Sequence, residues 1–242
     1  METYTEPSGP YFLQCPHCGK EKMLMSNSPI STRGLRVWTD CFELFPGCSN
    51  LSFIQKCPHC GGAFMTGEAK GRNPEPGESY TPGVFTGRLS FPELKKAFLE
   101  LEARVENDTS GIKFPFSLSL IQGFNDAYRE VDDECFADVE DGTFTRVRTA
   151  ADRQIHRSTI DRLLATLLPE TDENKVFIAE MLRETGRFKE CLDLLDEISD
   201  PESVKLHFAP KHIETIRQRA LALDVKVAEI DISDEKIMIV AP

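Results

Sequence analysis

The sequence lacks any long apolar run, and it is poor in the histidines that serve most often in acid–base chemistry. No stretch approaches the roughly 18 apolar residues that a membrane-spanning helix requires, and the chain has only five histidines. The first residues also lack the basic and apolar segments of a secretory signal. We therefore expect a cytoplasmic protein, because a reducing compartment keeps cysteines available for metal binding rather than for disulfides.

Basic side chains are fewer than acidic ones. The chain has 28 lysines and arginines against 40 aspartates and glutamates, which gives a net charge of −12. Residues 71–242 hold most of this excess, with 22 basic and 34 acidic side chains, whereas residues 11–70 are slightly basic. An acidic surface disfavours nonspecific attraction to nucleic acid. The slightly basic segment leaves that possibility open.

The pentapeptide Cys-Pro-His-Cys-Gly occurs twice, at residues 15–19 and 57–61. Each Cys-x-x-Cys turn directs two sulfurs at one centre, so two such turns supply a complete tetrahedral shell of thiolates. We predict one zinc ion per chain, bound within a zinc ribbon at residues 1–66 by Cys15, Cys18, Cys57 and Cys60. Iron is an alternative, because four thiolates also hold iron in rubredoxin-like electron carriers.

Other residues of the predicted ribbon also have expected roles. The alternation in residues 35–39 and 51–55 predicts two short strands. Trp38 is the only tryptophan, and we interpret it as a buried cap over the ribbon core, with an exposed stacking platform for a nucleic-acid base as the alternative. Cys41 and Cys48 are interpreted as buried thiols rather than ligands. His17 and His59 lie inside the two Cys-x-x-Cys turns, which we call the knuckles, and side chains at these positions normally point away from the metal.

The rest of the chain predicts a second, mainly helical domain, so the fold class is α+β. Glycine and proline are frequent in residues 67–89, which indicates a linker. The helical domain covers residues 90–242 and ends in a predicted β-hairpin at residues 225–240. Apolar residues at helical spacing predict helices at these positions: 91–106, 116–130, 149–168, 172–198 (a helical hairpin) and 209–224.

The hairpin at residues 172–198 resembles a tetratricopeptide unit, with Ala179, Leu182, Gly186 and Phe188 where that motif places its small and packing residues. Together with the two knuckles and the segment Phe124-Asn125-Asp126-Ala127-Tyr128-Arg129, it resembles bacterial zinc-ribbon proteins of unassigned function. The resemblance implies zinc and helical hairpins, and it implies no catalytic residues.

We expect a non-catalytic protein-interaction adaptor, because a zinc ion with four thiolates has no open position for water. The helical domain would dock a protein partner of basic character, with contacts at Glu180, Glu184 and Glu190. The alternative is a nucleic-acid-binding ribbon. Its phosphate and base contacts would be Lys20, Lys22, Arg33, Arg36 and Trp38.

Overall fold

The structure is a computed structural model, and it describes residues 10–25, 36–44, 54–78, 89–106, 113–129, 146–206 and 208–232. In this part of the chain small strands combine with helices, which is consistent with the predicted α+β class. The chain divides into two compact units. The described parts of unit 1 are residues 10–25, 54–78, 89–106 and 113–123, and the other described residues belong to unit 2.

The strands are short and the helices have ordinary lengths. The strands are β1 (Pro10–Gln14), β2 (Glu21–Met25), β3 (Arg36–Trp38), β4 (Glu43–Leu44), β5 (Ile54–Lys56), β6 (Ala63–Met65), β7 (Lys70–Arg72) and β8 (Glu229–Ile230). The helices are α1 (Phe91–Glu106), α2 (Lys113–Asn125), α3 (Ala150–Leu164), α4 (Asp172–Glu184), α5 (Phe188–Asp196) and α6 (Ala209–Leu221). The predicted helix 91–106 is confirmed, whereas α2 begins three residues earlier than predicted.

Unit 1 contains two antiparallel hairpins, and each is turned by one of the Cys-x-x-Cys knuckles. The first knuckle joins β1 to β2, and β7 pairs with the other side of β1. The second knuckle joins β5 to β6. Between the strands lies a small core of Leu13, Cys15, Cys57 and Phe64, all at most 2% exposed. Strands this short bury little surface, so the cysteines form a large part of this core.

Helix α1 belongs to the same unit, and its apolar stripe is buried as the spacing predicts. Ser90 accepts the backbone N–H of Glu93 at the N-terminus of the helix. On the buried face, the Phe98 ring stacks on Phe116 of α2 with ring centroids 5.2 Å apart. Gly123 of α2 faces the side chain of Leu94, and a Cβ atom there would lie only 2.5 Å from that leucine. Glycine therefore allows the close approach of α1 and α2.

In unit 2, the helices α4, α5 and α6 share one apolar core. Helix α4 begins after Thr171, whose side chain accepts the N–H of Asn174, so Thr171 is the N-cap. Gly186 adopts a φ of 80°, which ends the helix and lets α5 follow at once. The core includes Val176, Ala179, Leu182, Cys191, Leu195, Ile213 and Ile216. A tetratricopeptide-like character of α4 and α5 stays a prediction.

Residues 36–44, which lie between the knuckles in sequence, belong to unit 2. Strand β3 lies between β4 and β8, and Val37 pairs with Ile230. Next to this ladder, the Thr39 N–H donates to the Ala228 carbonyl at 2.9 Å, and a ring nitrogen of His212 lies 2.8 Å from the Thr39 carbonyl oxygen. Strand β8 lies within the segment predicted to form the C-terminal β-hairpin, but it pairs with β3. The part of that segment beyond residue 232 lies outside the described residues, so the hairpin stays a prediction.

A buried ion pair connects two segments of unit 2, residues 36–44 and residues 124–129. Arg129 and Asp40 are fully buried, and the guanidinium donates to both carboxylate oxygens at 3.0 and 2.5 Å. Arg129 also donates to Asp126 and lies 5.0 Å from the Trp38 ring centroid. Burial opposes ionisation of Asp40, but Arg129 and Asn125 hold its pKa below the ordinary value. The pair therefore stays charged inside the unit.

Replacing Asp40 with alanine should destabilise unit 2 strongly, because Arg129 would keep its buried charge without its principal partner. Breaking a buried pair from one side costs about 3–5 kcal/mol. Urea unfolding followed by far-UV circular dichroism measures the loss. The control is Glu190→Ala, which removes an exposed carboxylate paired with Arg187 and should leave the free energy of unfolding nearly unchanged. Equal effects of the two changes would contradict this account of the core.

Candidate metal centre

The two knuckles adopt the same backbone turn. In the first, the Gly19 N–H donates to the Cys15 carbonyl at 2.9 Å, and the Cys15 N–H donates to the Lys20 carbonyl at 2.9 Å. The second knuckle repeats both bonds, at 2.9 and 3.0 Å. Gly19 and Gly61 both adopt a φ of 71°, a left-handed conformation that favours glycine. The repeated pentapeptide therefore encodes a repeated geometry.

The turns bring four sulfur atoms together, all within 4.8 Å of one another. The Sγ atoms of Cys18 and Cys57 are 3.6 Å apart, and those of Cys15 and Cys60 are 3.9 Å apart. Four thiolates around an ion at about 2.3 Å each form a tetrahedron with edges of about 3.8 Å. The predicted ligands thus lie close enough together to bind one metal ion. They are the only cluster of this kind among the described residues.

The local environment favours ionisation of one ligand in particular. Burial raises the pKa of the Cys57 thiol, but the backbone N–H groups of Cys60 and His59 stabilise the thiolate and lower that pKa to about 6. The His59 N–H lies 3.4 Å from the Cys57 sulfur. Because metals bind the thiolate rather than the thiol, Cys57 is ready to act as a ligand near neutral pH.

The knuckle histidines connect the two hairpins and do not belong to the sulfur cluster. A ring nitrogen of His17 lies 2.9 Å from the Ala63 carbonyl oxygen beyond the second knuckle. A ring nitrogen of His59 lies 3.2 Å from the Glu21 carbonyl oxygen beyond the first. Each Nε2 therefore donates to the other hairpin. These reciprocal bonds fix the two knuckles in the orientation that brings the sulfurs together.

The two lysines predicted to contact nucleic acid differ in their exposure to solvent. Lys20 is exposed. Lys22 is only 5% exposed, and its ammonium donates to the Lys56 carbonyl at 2.9 Å. A buried ammonium bound to the backbone is a structural group, so the assignment of Lys22 to phosphate is wrong. Arg33 lies outside the described residues.

Arg36 and Trp38 are also engaged within unit 2. Arg36 forms an ion pair with Glu229 and lies 5.2 Å from the Trp38 ring centroid. Trp38 is only 1% exposed and packs against Phe42 and Arg129. An indole that is buried cannot stack on a base. The alternative of an exposed stacking platform is therefore wrong. Trp38 is buried as expected, but it belongs to the core of unit 2 and not to the core of the ribbon.

Two of the three glutamates predicted to dock a partner are buried. Glu180 is fully buried in an ion pair with Arg183, and Glu184 is 7% exposed. The expectation that these two carboxylates lie on the surface is wrong, because α4 is buried from Val176 to Glu184. Glu190 is exposed, as expected, and pairs with Arg187.

No single sequence motif indicates the buried polar network that includes Glu184. The Asn125 amide nitrogen donates to Asp40 at 3.0 Å and to the two oxygens of Glu184 at 3.0 and 3.1 Å. His156 Nε2 lies 3.0 Å from Glu184, and its ring stacks on Phe124. A signal was present, since two polar residues, Asn125 and Asp126, stand side by side where the apolar helix α2 ends. Their partners lie too far away in sequence to be identified from it.

Glu184 should make the stability of unit 2 fall as the pH rises. Burial raises its pKa above the ordinary value of 4.5, against the opposing effect of His156. The folded state therefore binds this proton more tightly, and its contribution to stability disappears as the pH rises through the folded pKa. In Glu184→Gln, the loss of stability between about pH 5 and about pH 8 should be smaller than in the wild type. Urea midpoints across that range measure it.

Glu190→Gln is the matched control for that experiment. Arg187 lowers the pKa of Glu190, so this carboxylate stays ionised across the whole range. Its pH dependence should match that of the wild type. If the urea midpoint of Glu184→Gln changes with pH as it does in the wild type, Glu184 does not bind the proton.

Loss of one cysteine ligand should release the metal and unfold unit 1. Structural zinc contributes about 10–16 kcal/mol to the folding free energy of zinc-finger peptides. The small core between the strands of unit 1 supplies far less. Cys57→Ser should therefore lose the metal while the far-UV helix signal of unit 2 persists. Elemental analysis and circular dichroism measure both. Cys41→Ser is the control and should keep one ion per chain. Metal retained in Cys57→Ser, or two ions per wild-type chain, would contradict the ligand set.

No family model, curated protein or solved structure matches the chain. The resemblance to bacterial zinc-ribbon proteins therefore stays a prediction. Among the described residues, no helix combines the length and apolar character that a membrane crossing requires.

Proposed function

We propose that the chain is a non-catalytic zinc protein that binds another protein. Cys15, Cys18, Cys57 and Cys60 would hold one structural zinc ion in a zinc ribbon. The closed cluster of four cysteines is the observation that supports this part. Soft thiolates at tetrahedral spacing suit zinc, and four of them leave no position for a reacting water. Zinc would join the two hairpins of unit 1.

The arrangement of unit 2 also favours binding over catalysis. Its acid–base groups His156, Glu184 and Asp40 are buried and engaged with one another or with Asn125. A general acid or base needs to reach a substrate. In this network the side chains instead connect α3 and α4 with residues 36–44 and 124–129. We interpret the network as a support for the fold.

The observation that favours protein binding is an exposed apolar turn at the end of α6. Leu221 and Leu223 are 67% and 69% exposed, and Val225 is 46% exposed. We refer to these three residues as the apolar turn. Single exposed apolar residues are common, but three within five residues favour a contact with a partner.

The backbone supports this interpretation. Leu223 adopts a φ of 56°, a left-handed conformation that is normally occupied by glycine at the end of a helix. The Asp224 N–H bonds to the Arg219 carbonyl across this turn. A leucine in this conformation costs roughly 1–2 kcal/mol, and glycine would relieve the strain. An exposed leucine at a strained position stabilises neither the core nor the turn, which favours a role in binding.

The partner would present an apolar segment flanked by basic residues. Apolar side chains would cover the turn, while the net charge of −12 would attract positive charge and accelerate the encounter. Of the predicted docking residues, only the exposed Glu190 remains available for such a contact.

The substitution Leu223→Gly should change the stability of the protein and its binding of a partner in opposite directions. The change should raise the free energy of unfolding by about 1 kcal/mol, because it removes the left-handed leucine. It should also weaken partner capture, because it removes the most exposed side chain of the apolar turn. Purification of the tagged protein from host lysate, with quantitative mass spectrometry, measures capture, and urea unfolding measures stability.

Leu99→Ser is the matched control. Leu99 is also 69% exposed but lies on α1 of unit 1, so its loss should leave capture unchanged. The proposed function would be contradicted if the wild type captures no protein reproducibly. It would also be contradicted if Leu223→Gly captures as well as the wild type.

A further inference from the structure

The four clustered cysteines differ in their exposure to solvent. Cys15 and Cys57 are only 1% exposed, whereas Cys18 and Cys60 are exposed. Each knuckle therefore has one buried and one exposed cysteine. A small oxidant in solution can approach the exposed cysteine of each knuckle without unfolding the unit.

The sulfur of each exposed cysteine lies close to the sulfur of the buried cysteine in the other knuckle. Cys18 Sγ is 3.6 Å from Cys57 Sγ, and Cys60 Sγ is 3.9 Å from Cys15 Sγ. A disulfide bond is about 2.05 Å long, so either pair can join after a shift of roughly 1.5–2 Å. The Cys18–Cys57 pair requires the smaller shift.

We propose that Cys18 is a peroxide-sensitive modification site, and that its oxidation forms a disulfide with Cys57 and expels the bound zinc. The proposal rests on the metal centre of the proposed function. The chemical class of the oxidant is a hydroperoxide, which is small enough to approach the exposed cysteine.

The reaction consumes one peroxide and two thiolates. The Cys18 thiolate attacks one oxygen of hydrogen peroxide, the O–O bond breaks, hydroxide leaves and Cys18 becomes a sulfenic acid. The Cys57 thiolate then attacks the Cys18 sulfur, the S–O bond breaks and a second hydroxide leaves. The two cysteines lose two electrons in total, and the peroxide gains them.

The disulfide removes two of the four ligands, one from each knuckle. Only Cys15 and Cys60 remain, and two thiolates do not complete the tetrahedral shell that holds structural zinc. Oxidation therefore releases the ion, and the new bond keeps the two knuckles covalently joined. A thiol reductant regenerates the four ligands, so the step is reversible.

The thiols of unit 2 are less suited to this reaction. Burial and the carboxylates of Asp40 and Glu180 raise the pKa of the Cys41 thiol well above its ordinary value. Burial raises the pKa of Cys191 to about 12. Both stay protonated near neutral pH, and the thiol reacts far more slowly with peroxide than the thiolate does.

The experiment exposes purified zinc-loaded protein to hydrogen peroxide and follows released zinc with a chromogenic chelator. We expect release of about one zinc per chain, with one peroxide consumed for each. Peptide mapping under non-reducing conditions should find Cys18 joined to Cys57. Dithiothreitol with added zinc should restore the metal content.

A variant with alanine at Cys41, Cys48, Cys135 and Cys191 contains only the four cluster cysteines and is the control. It should release zinc within about twofold of the wild-type rate. If this variant does not fold, the disulfide map of the wild type tests the proposal, because it shows whether Cys18 is joined to Cys57. Zinc that stays bound in excess peroxide, or that leaves without a Cys18–Cys57 disulfide, overturns the inference. Purified protein without metal would overturn the proposed metal centre as well.

Discussion

Unit 1 depends on the meeting of four thiols from two distant turns. Its strands have three to five residues, and hairpins of that length are marginal in water. The knuckles supply what the strands lack, because they bring Cys15 and Cys18 to within bonding range of one ion with Cys57 and Cys60. A metal ion at this point would close the loop between the hairpins and replace a large apolar core.

In unit 2, buried charged and polar side chains join segments that lie far apart in the sequence. Arg129 binds Asp40, which is 89 residues away in sequence, and Asn125 connects Asp40 to Glu184. A buried charge is costly unless it is paired. The correct arrangement of residues 36–44 against the helices therefore satisfies these groups, and other arrangements leave them unpaired. The network and the β3–β8 ladder specify where this segment lies.

The local features of the fold were predictable, and the distant contacts were not. The pentapeptide repeat predicted the cluster of four cysteines, and the apolar spacing predicted α1, because both depend on neighbouring residues. The prediction for Glu180 and Glu184 assumed that one face of α4 meets water. That helix is surrounded instead, so its charged residues pair inside the unit. Similarly, nothing local to Trp38 predicted that β3 pairs with β8 near the end of the chain.

X-ray absorption at the metal edge of the purified protein tests the central claim most directly. The account predicts a zinc edge and a first shell of four sulfur atoms at about 2.3 Å. Such a spectrum would show that the two knuckles together fill all four coordination positions of one ion. An iron edge would contradict the assignment of zinc. Nitrogen or oxygen atoms in the first shell would contradict the closed shell of four thiolates, and with it the structural role of the metal.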